Sequence, residues 1–154
     1  MAFVVLIGAS GVGKTTIADA VAADEPDVQV AHLDLLTGPS DEMTDEGRRT
    51  ATAEWMRRLG PAAAGGTPVL LEGRLRFDEL EDAAAGIGGV AYEAVLIDCD
   101  DDVRRDRADG QGIADDDLAA RLRDEAAERG CRVIDTTLRG VNACMDEVIR
   151  LVRR

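Results

Sequence analysis

The stretch Gly8-Ala9-Ser10-Gly11-Val12-Gly13-Lys14-Thr15-Thr16 brings together residue types that hold phosphate. Glycines let backbone N–H groups turn inward around phosphate oxygens, where a side chain would obstruct them. Lys14 adds a mobile cation, and a helix starting within the loop adds the partial positive charge of its N-terminus. The spacing Gly8-x-x-x-x-Gly13-Lys14-Thr15 satisfies the Walker A pattern. In that pattern the lysine reaches the β- and γ-phosphates and the hydroxyl takes a place on Mg2+. The expected cofactors are therefore ATP and Mg2+, with Gly8, Ser10, Gly11, Val12, Gly13, Lys14, Thr15 and Thr16 on the nucleotide and Thr15 on the metal. A glycine turn with an incidental lysine is the plainer alternative, as is a loop that binds nucleotide without turning it over.

Such a loop works only between a strand and a helix, and the flanking sequence supplies both. Five short apolar runs recur: FVVLI (3–7), VQVAHL (28–33), PVLL (68–71), EAVLI (93–97) and CRVI (131–134). Helical patterns separate them, which predicts an α/β fold of three layers, a five-stranded parallel sheet with helices on both faces. The first helix is expected from about Lys14, with Ile17, Ala20 and Val21 inward. A second follows GPSDEM, with Ser40 as N-cap, Asp41 and Glu42 at its positive end, Met43, Trp55 and Leu59 inward, and Gly60-Pro61 as its stop. A third carries Phe77, Leu80 and Ala84. Polar helical segments occupy 101–109 and 114–129, closing at Gly130, and a last helix uses Val141, Met145, Val148 and Val152. Four of the apolar runs deliver a carboxylate at their end: Asp34, Glu72, Asp98 and Asp135. In a parallel sheet those ends share the edge where ligands bind, and the phosphate loop belongs to that same edge.

Composition bounds the partners. The chain has 154 residues and a formal net charge of −13, and Lys14 is the only lysine. An acidic surface repels polyanions, so long nucleic acid is disfavoured, whereas a nucleotide needs only a local positive site. Cys99, Cys131 and Cys144 form an odd set without C-x-x-C spacing, and His32 is the sole histidine. Neither a zinc site nor a disulfide framework is suggested, and a cytoplasmic location is expected. The first strand-like run leaves no room for a signal peptide before it, and no apolar run approaches membrane-spanning length. One domain over residues 1–154 is expected, with a short lid segment around 104–115 and with DGQG (109–112) too short for a large lid. The last helix could pair subunits, so a homo-oligomer stays open.

No N-K-x-D guanine signature follows the late strand VLIDCDDD, and no D-E pair or additional helical domain of a mechanical ATPase is present. What is left resembles the small P-loop kinases, the group that contains nucleoside, nucleotide, gluconate and shikimate kinases. The combination AHLDLLTGPSDEM, PVLLEGRLR, VLIDCDDDVRRDR and RVIDTT is most similar to small bacterial "AAA family ATPase" proteins. The resemblance spans nearly the whole chain and implies roles for individual positions. Asp34 matches the carboxylate placed beside an acceptor hydroxyl, as catalytic and acceptor-binding residue. Glu72 sits where a Walker B-like carboxylate would hold a magnesium-bound water. Arg104 and Arg107, spaced i, i+3 on one helical face, match arginines at the lid base that neutralise charge on the transferred phosphoryl group, with Lys14 beside them. Arg74 is the better acceptor contact of the pair Arg74 and Arg76, and Arg48 or Arg49 on the second helix could grip an anionic group. The loop DTTLRG (135–140) is where the group cradles adenine.

These features together imply an ATP-dependent phosphotransferase acting on a small hydroxyl- or phosphate-bearing acceptor. The alternatives are a nucleotide-binding regulatory module with little turnover and a polynucleotide end kinase. Surface ion pairing is the simpler account of Arg104 and Arg107, plain solvation that of Arg48, Arg49 and Arg74, and a cap or turn role that of Asp34. Cys99 and His32 are expected to be structural, Trp55 a core anchor, and Asp115-Asp116-Asp117 the acidic first turn of a helix.

Overall fold

The computed structural model describes residues 2–37, 44–108 and 115–154. Strands β1 (Phe3–Ile7), β2 (Gln29–His32), β3 (Val69–Gly73), β4 (Glu93–Asp98) and β5 (Arg132–Asp135) form one sheet in the order β2-β3-β1-β4-β5. Every neighbouring pair is parallel. Helices α1 (Lys14–Asp24), α2 (Asp34–Thr37), α3 (Asp45–Ala64), α4 (Phe77–Gly86), α5 (Asp101–Arg107), α6 (Asp116–Arg129) and α7 (Val141–Val152) connect and cover the strands. The three-layer parallel architecture is the one the apolar runs predict.

The central strand explains why the sheet is covered twice. All five residues of FVVLI are buried, and consecutive side chains point to opposite faces. Phe3, Val5 and Ile7 join a core with Leu59 of α3, Leu80 of α4 and Leu122 of α6. Val4 and Leu6 join a second core with Ile17 of α1 and Val148 of α7. A continuous apolar run with no polar alternation is what a two-sided parallel strand requires. Because the strands share one direction, their carboxyl ends gather Gly8, His32, Glu72 and Asp98 along a single edge.

The helices match the expected ones with local corrections. On α1, Ile17 and Val21 face inward as expected, but Ala18 rather than Ala20 completes the buried stripe. Helix α3 is capped by Thr44, whose hydroxyl accepts the Gly47 amide at 2.9 Å. The expected cap Ser40, with Asp41, Glu42 and Met43, lies outside the described residues. Leu59 is buried, but Met56 fills the position expected of Trp55, whose ring is only partly covered. Gly60-Pro61 does not end the helix, which runs on to Ala64. Pro61 forfeits only the bond to the carbonyl of Arg57, on an exposed stretch that water can reach, and its own carbonyl accepts the Gly65 amide at 3.0 Å. Gly130 closes α6 at a φ of 61°, as its position suggests. On α7, Val148 and Val152 are buried, whereas Val141 is 42% exposed. No described helix is long and apolar enough to cross a membrane. The segment DGQG falls outside the described residues.

Candidate active site

The chain turns out of β1 at Gly8 and winds into α1 through two glycines in left-handed conformations, Gly11 at φ 87° and Gly13 at φ 106°. Side chains are excluded from this loop by its surroundings. A Cβ on Gly8 would stand 2.5 Å from the carbonyl oxygen of Ile97, and one on Gly11 2.3 Å from that of Arg104. The loop is thus wedged between β4 and α5, which sets its curvature. Gly13 is open by contrast, with only Thr136 at 4.0 Å, so its backbone faces space that a ligand can enter.

Lys14 is buried to 8% exposure, and its Nζ donates to the carbonyl of Ala9 at 3.0 Å. The ammonium therefore folds back over its own loop, inside the ring a phosphate would occupy. Burial pushes its pKa below the usual lysine range, while Glu72 and Asp115 pull it the other way. A buried cation whose one hydrogen bond among the described residues is to a carbonyl is well placed to receive an anion.

Glu72 ends β3 beside the loop and is 4% exposed. The Thr15 hydroxyl donates to its Oε1 at 3.3 Å, and His32 Nδ1 stands 2.7 Å from the same oxygen. His32 reaches this place because β2 pairs with β3 in a register that sets it directly opposite Glu72. Its Nε2 lies 3.2 Å from Asp19 on α1, so the ring bridges helix and strand. A hydroxyl and an adjoining carboxylate at the mouth of a phosphate loop are the hard oxygen donors that suit Mg2+, so Thr15 and Glu72 could hold it.

Asp115 is the residue that sequence reasoning missed. Read only as one of three acids in a helical first turn, it is in fact 3% exposed and tied to the phosphate loop. Its Oδ2 accepts the Ser10 amide at 2.8 Å, and Arg74 Nε donates to its two oxygens at 2.9 and 2.8 Å. Burial opposes its charge, but the bonds from Arg74 and Ser10 prevail and hold the carboxyl below the usual range. No spacing rule links positions 10, 74 and 115, and only the closed fold joins them. Thr136, just beyond β5, was likewise unforeseen as a contact of the loop. Its hydroxyl donates to the Val12 carbonyl at 2.6 Å and accepts Arg107 Nη1 at 2.9 Å.

A cleft of about 380 Å3 opens over the loop. Lys14, Thr15, Leu33, Asp34, Glu72, Arg74 and Arg107 are among the residues that line it. Asp34 heads α2 with its side chain exposed, and among the described residues no hydrogen bond or ion pair engages it. A smaller cavity of about 200 Å3 continues past Gly13 and Thr16, lined by Ile17, Thr136, Arg139 and Val141.

The structure thus gathers Lys14, Thr15, Asp34, Glu72, Arg74 and Arg107 at one cleft, and it leaves Arg104, Arg48 and Arg49 elsewhere. Arg104 shares a helix with Arg107 but is fully buried, with Asp116 and Asp101 as ion partners, and it does not line the cleft. Three residues turn a helix by about 300°, enough to send one arginine into the core while its neighbour reaches the rim. Arg48 is 5% exposed, with Nε 2.9 Å from Glu79 and Nη2 2.7 Å from Asp45, so it staples α3 to α4. Arg49 is spent on Asp78 and Asp82 at 3.1 Å each. Cys99 is buried, which raises its thiol pKa, in keeping with a structural role.

Comparison with known structures agrees with the fold that positions this site. The fold is similar to a sugar kinase from Janibacter sp. HTCC2649, with a TM-score of 0.73 and 20% identity over 97% of this chain and 93% of that one. It is similar to a gluconokinase from Sinorhizobium meliloti 1021, with a TM-score of 0.72 and 19% identity over 98% and 91% of the two chains. A shikimate kinase from Acinetobacter baumannii, solved with shikimate, superposes with a TM-score of 0.68 and 14% identity over 99% and 93%. At these identities the likeness establishes the small P-loop kinase fold. No curated protein matches the sequence. The family model described as an AAA domain matches residues 4–130, and the chain belongs to that family.

Proposed function

We propose that the protein is an ATP-dependent phosphotransferase that moves the γ-phosphoryl group to a small hydroxyl- or phosphate-bearing acceptor. The observation that carries this reading is a single cleft lined by both the buried ammonium of Lys14 and the exposed carboxylate of Asp34, which no other described residue engages. A loop that only held nucleotide would have no use for an exposed carboxylate in the same cleft.

The inward-facing amides around Gly11 and Gly13, with Lys14, would bind the β- and γ-phosphates of ATP. The cavity along Ile17, Thr136 and Arg139 would take the base. Thr15 and Glu72 would hold Mg2+, which supplies neutralisation of phosphate charge when bound. Arg107, fixed by Thr136 and by the Val12 carbonyl at 3.4 Å, faces the cleft from the nucleotide side. There it would stabilise charge on the moving group together with Lys14. With a hydroxyl acceptor, Asp34 accepts the acceptor's hydrogen bond and orients its oxygen toward the γ-phosphorus. The new O–P bond forms as the bond from the γ-phosphorus to the β–γ bridging oxygen breaks. ADP departs with that oxygen, and the hydroxyl proton passes to Asp34.

The test is ADP release from Mg-ATP by the purified protein, alone and with pooled nucleosides, nucleoside monophosphates, sugars and aminated antibiotics, with Lys14→Ala as the blank. One pool is expected to raise turnover well above the acceptor-free rate, and Asp34→Asn to remove most of that increase. Equal, faint rates with every pool would leave a nucleotide-dependent binder and would remove the role given to Asp34.

A further inference from the structure

Resting on that reading, we infer that the acceptor carries no anionic group: it is a neutral or positively charged hydroxyl compound, such as a neutral sugar, a nucleoside or an aminosugar. The inference comes from where the cations of this chain are spent. Lys14 is the only lysine, the other basic residues are arginines, and all of them fall within the described residues. The segments outside, 38–43 and 109–114, contain neither. Every lysine and arginine of the chain is therefore placed.

Only Lys14, Arg74 and Arg107 line the cleft. Lys14 is turned onto Ala9 within the phosphate loop, and Arg107 is fixed on the opposite, nucleotide side by Thr136 at 2.9 Å from each of its terminal nitrogens. That leaves Arg74, which stands next to Gly73 and Glu72 at the end of β3. Its guanidinium meets both oxygens of Asp115 in a fork, and Asp115 is itself 3% exposed and bonded to Ser10. An anionic acceptor could recruit Arg74 only by displacing a buried carboxylate that also braces the loop. Removing one partner of such a pair strands the other's charge, so the exchange is unfavourable. Arg48 and Arg49, on the helix over which an acceptor was expected to be gripped, are committed to Glu79, Asp45, Asp78 and Asp82.

The charge left over at the acceptor side is negative. Asp34 is exposed there and unengaged among the described residues, and the whole chain carries −13. A carboxylate that only accepts hydrogen bonds selects for donors, which hydroxyls and ammonium groups are and ionised acids are not.

The experiment is ADP release from Mg-ATP with acceptors matched in scaffold and different in charge: a hexose, its aldonic acid and its 2-amino-2-deoxy form, and a nucleoside with its 5′-monophosphate. In whichever set is active, the neutral or amino member is expected to exceed the acidic one by about tenfold or more in kcat/KM. Asp115→Asn keeps an acceptor for the Ser10 amide but releases Arg74, and it should narrow that gap by raising the rate with the acid. An acidic or phosphorylated member that matches or exceeds its neutral partner in the wild-type protein overturns the charge assignment while leaving the phosphotransferase standing. If no member of any set raises the rate, the phosphotransferase reading itself falls, and the acceptor assignment falls with it.

Discussion

His32 Nδ1 lies 2.7 Å from Glu72 Oε1, the same oxygen that the Thr15 hydroxyl reaches at 3.3 Å. The ring's Nε2 stands 3.2 Å from Asp19, so His32 is held at both nitrogens and in turn sets the orientation of Glu72. His32 is thus a positioning residue, acting through the carboxylate that the proposed mechanism places on magnesium. The structural role expected from sequence is compatible with this but does not express it.

His32→Ala should therefore raise the Mg2+ concentration needed for half-maximal ADP release by about tenfold, with a smaller change in the KM for ATP at saturating Mg2+. His32→Asn, whose side-chain amide can stand near Nδ1, should recover part of the loss. An unchanged magnesium titration in both variants would show that the ring serves packing alone.

Arg48→Ala should act on stability and leave the acceptor alone. The substitution strands Glu79, which is 2% exposed, beneath α3 and α4. Breaking one partner out of a buried pair costs about 3–5 kcal/mol. Urea unfolding should show that loss, while the acceptor KM, measured where the variant is still folded, stays within twofold of wild type (about 0.4 kcal/mol by the tenfold-per-1.4 relation). A large rise in that KM would return Arg48 to the acceptor.

Arg48, Arg74 and His32 show where sequence stops being legible. The sheet could be read because β1 and β3 are apolar on both faces, and the loop could be read because its glycines and Lys14 are contiguous. Asp34 and Glu72 could be read as strand ends, since parallel strands bring their ends to one edge. The partners of charged side chains could not be read in that way. Arg48–Glu79, Arg74–Asp115 and His32–Glu72 join positions 31, 41 and 40 residues apart, and their pairing depends on helix rotation and strand register. Arg104 and Arg107 make the point within a single helix, as three residues separate a core ion pair from the rim of the cleft.

Two glycines predict opposite outcomes for the same substitution. Gly11→Ala places a Cβ at a φ of 87° and 2.3 Å from the Arg104 carbonyl oxygen, so the loop or α5 must move. A cost of about 1–3 kcal/mol in urea unfolding is expected, with weakened ATP binding. Gly86 closes α4 with nothing near the added methyl. Gly86→Ala should stabilise the protein by about 0.5–1 kcal/mol and leave ATP binding as it was. Equal behaviour of the two would contradict the wedged loop.

Asp116 opens α6 and accepts from Arg105, at 3.1 and 2.8 Å, and from Arg104. These bonds lower its pKa from the ordinary 3.8 to about 2. A carboxyl whose pKa is lower in the folded state than in the unfolded one contributes stability that is fully present above 3.8 and is lost as pH falls toward 2. Arg104 is buried, so loss of the Asp116 charge removes an ion partner from a cation inside the fold. Asp116→Asn should therefore destabilise the protein at neutral pH and lose less stability than wild type between about pH 4 and 2, so that the two curves converge in acid. Thermal unfolding followed across that range decides the matter. Parallel curves would mean that the pair with Arg104 and Arg105 contributes nothing pH-dependent to the fold.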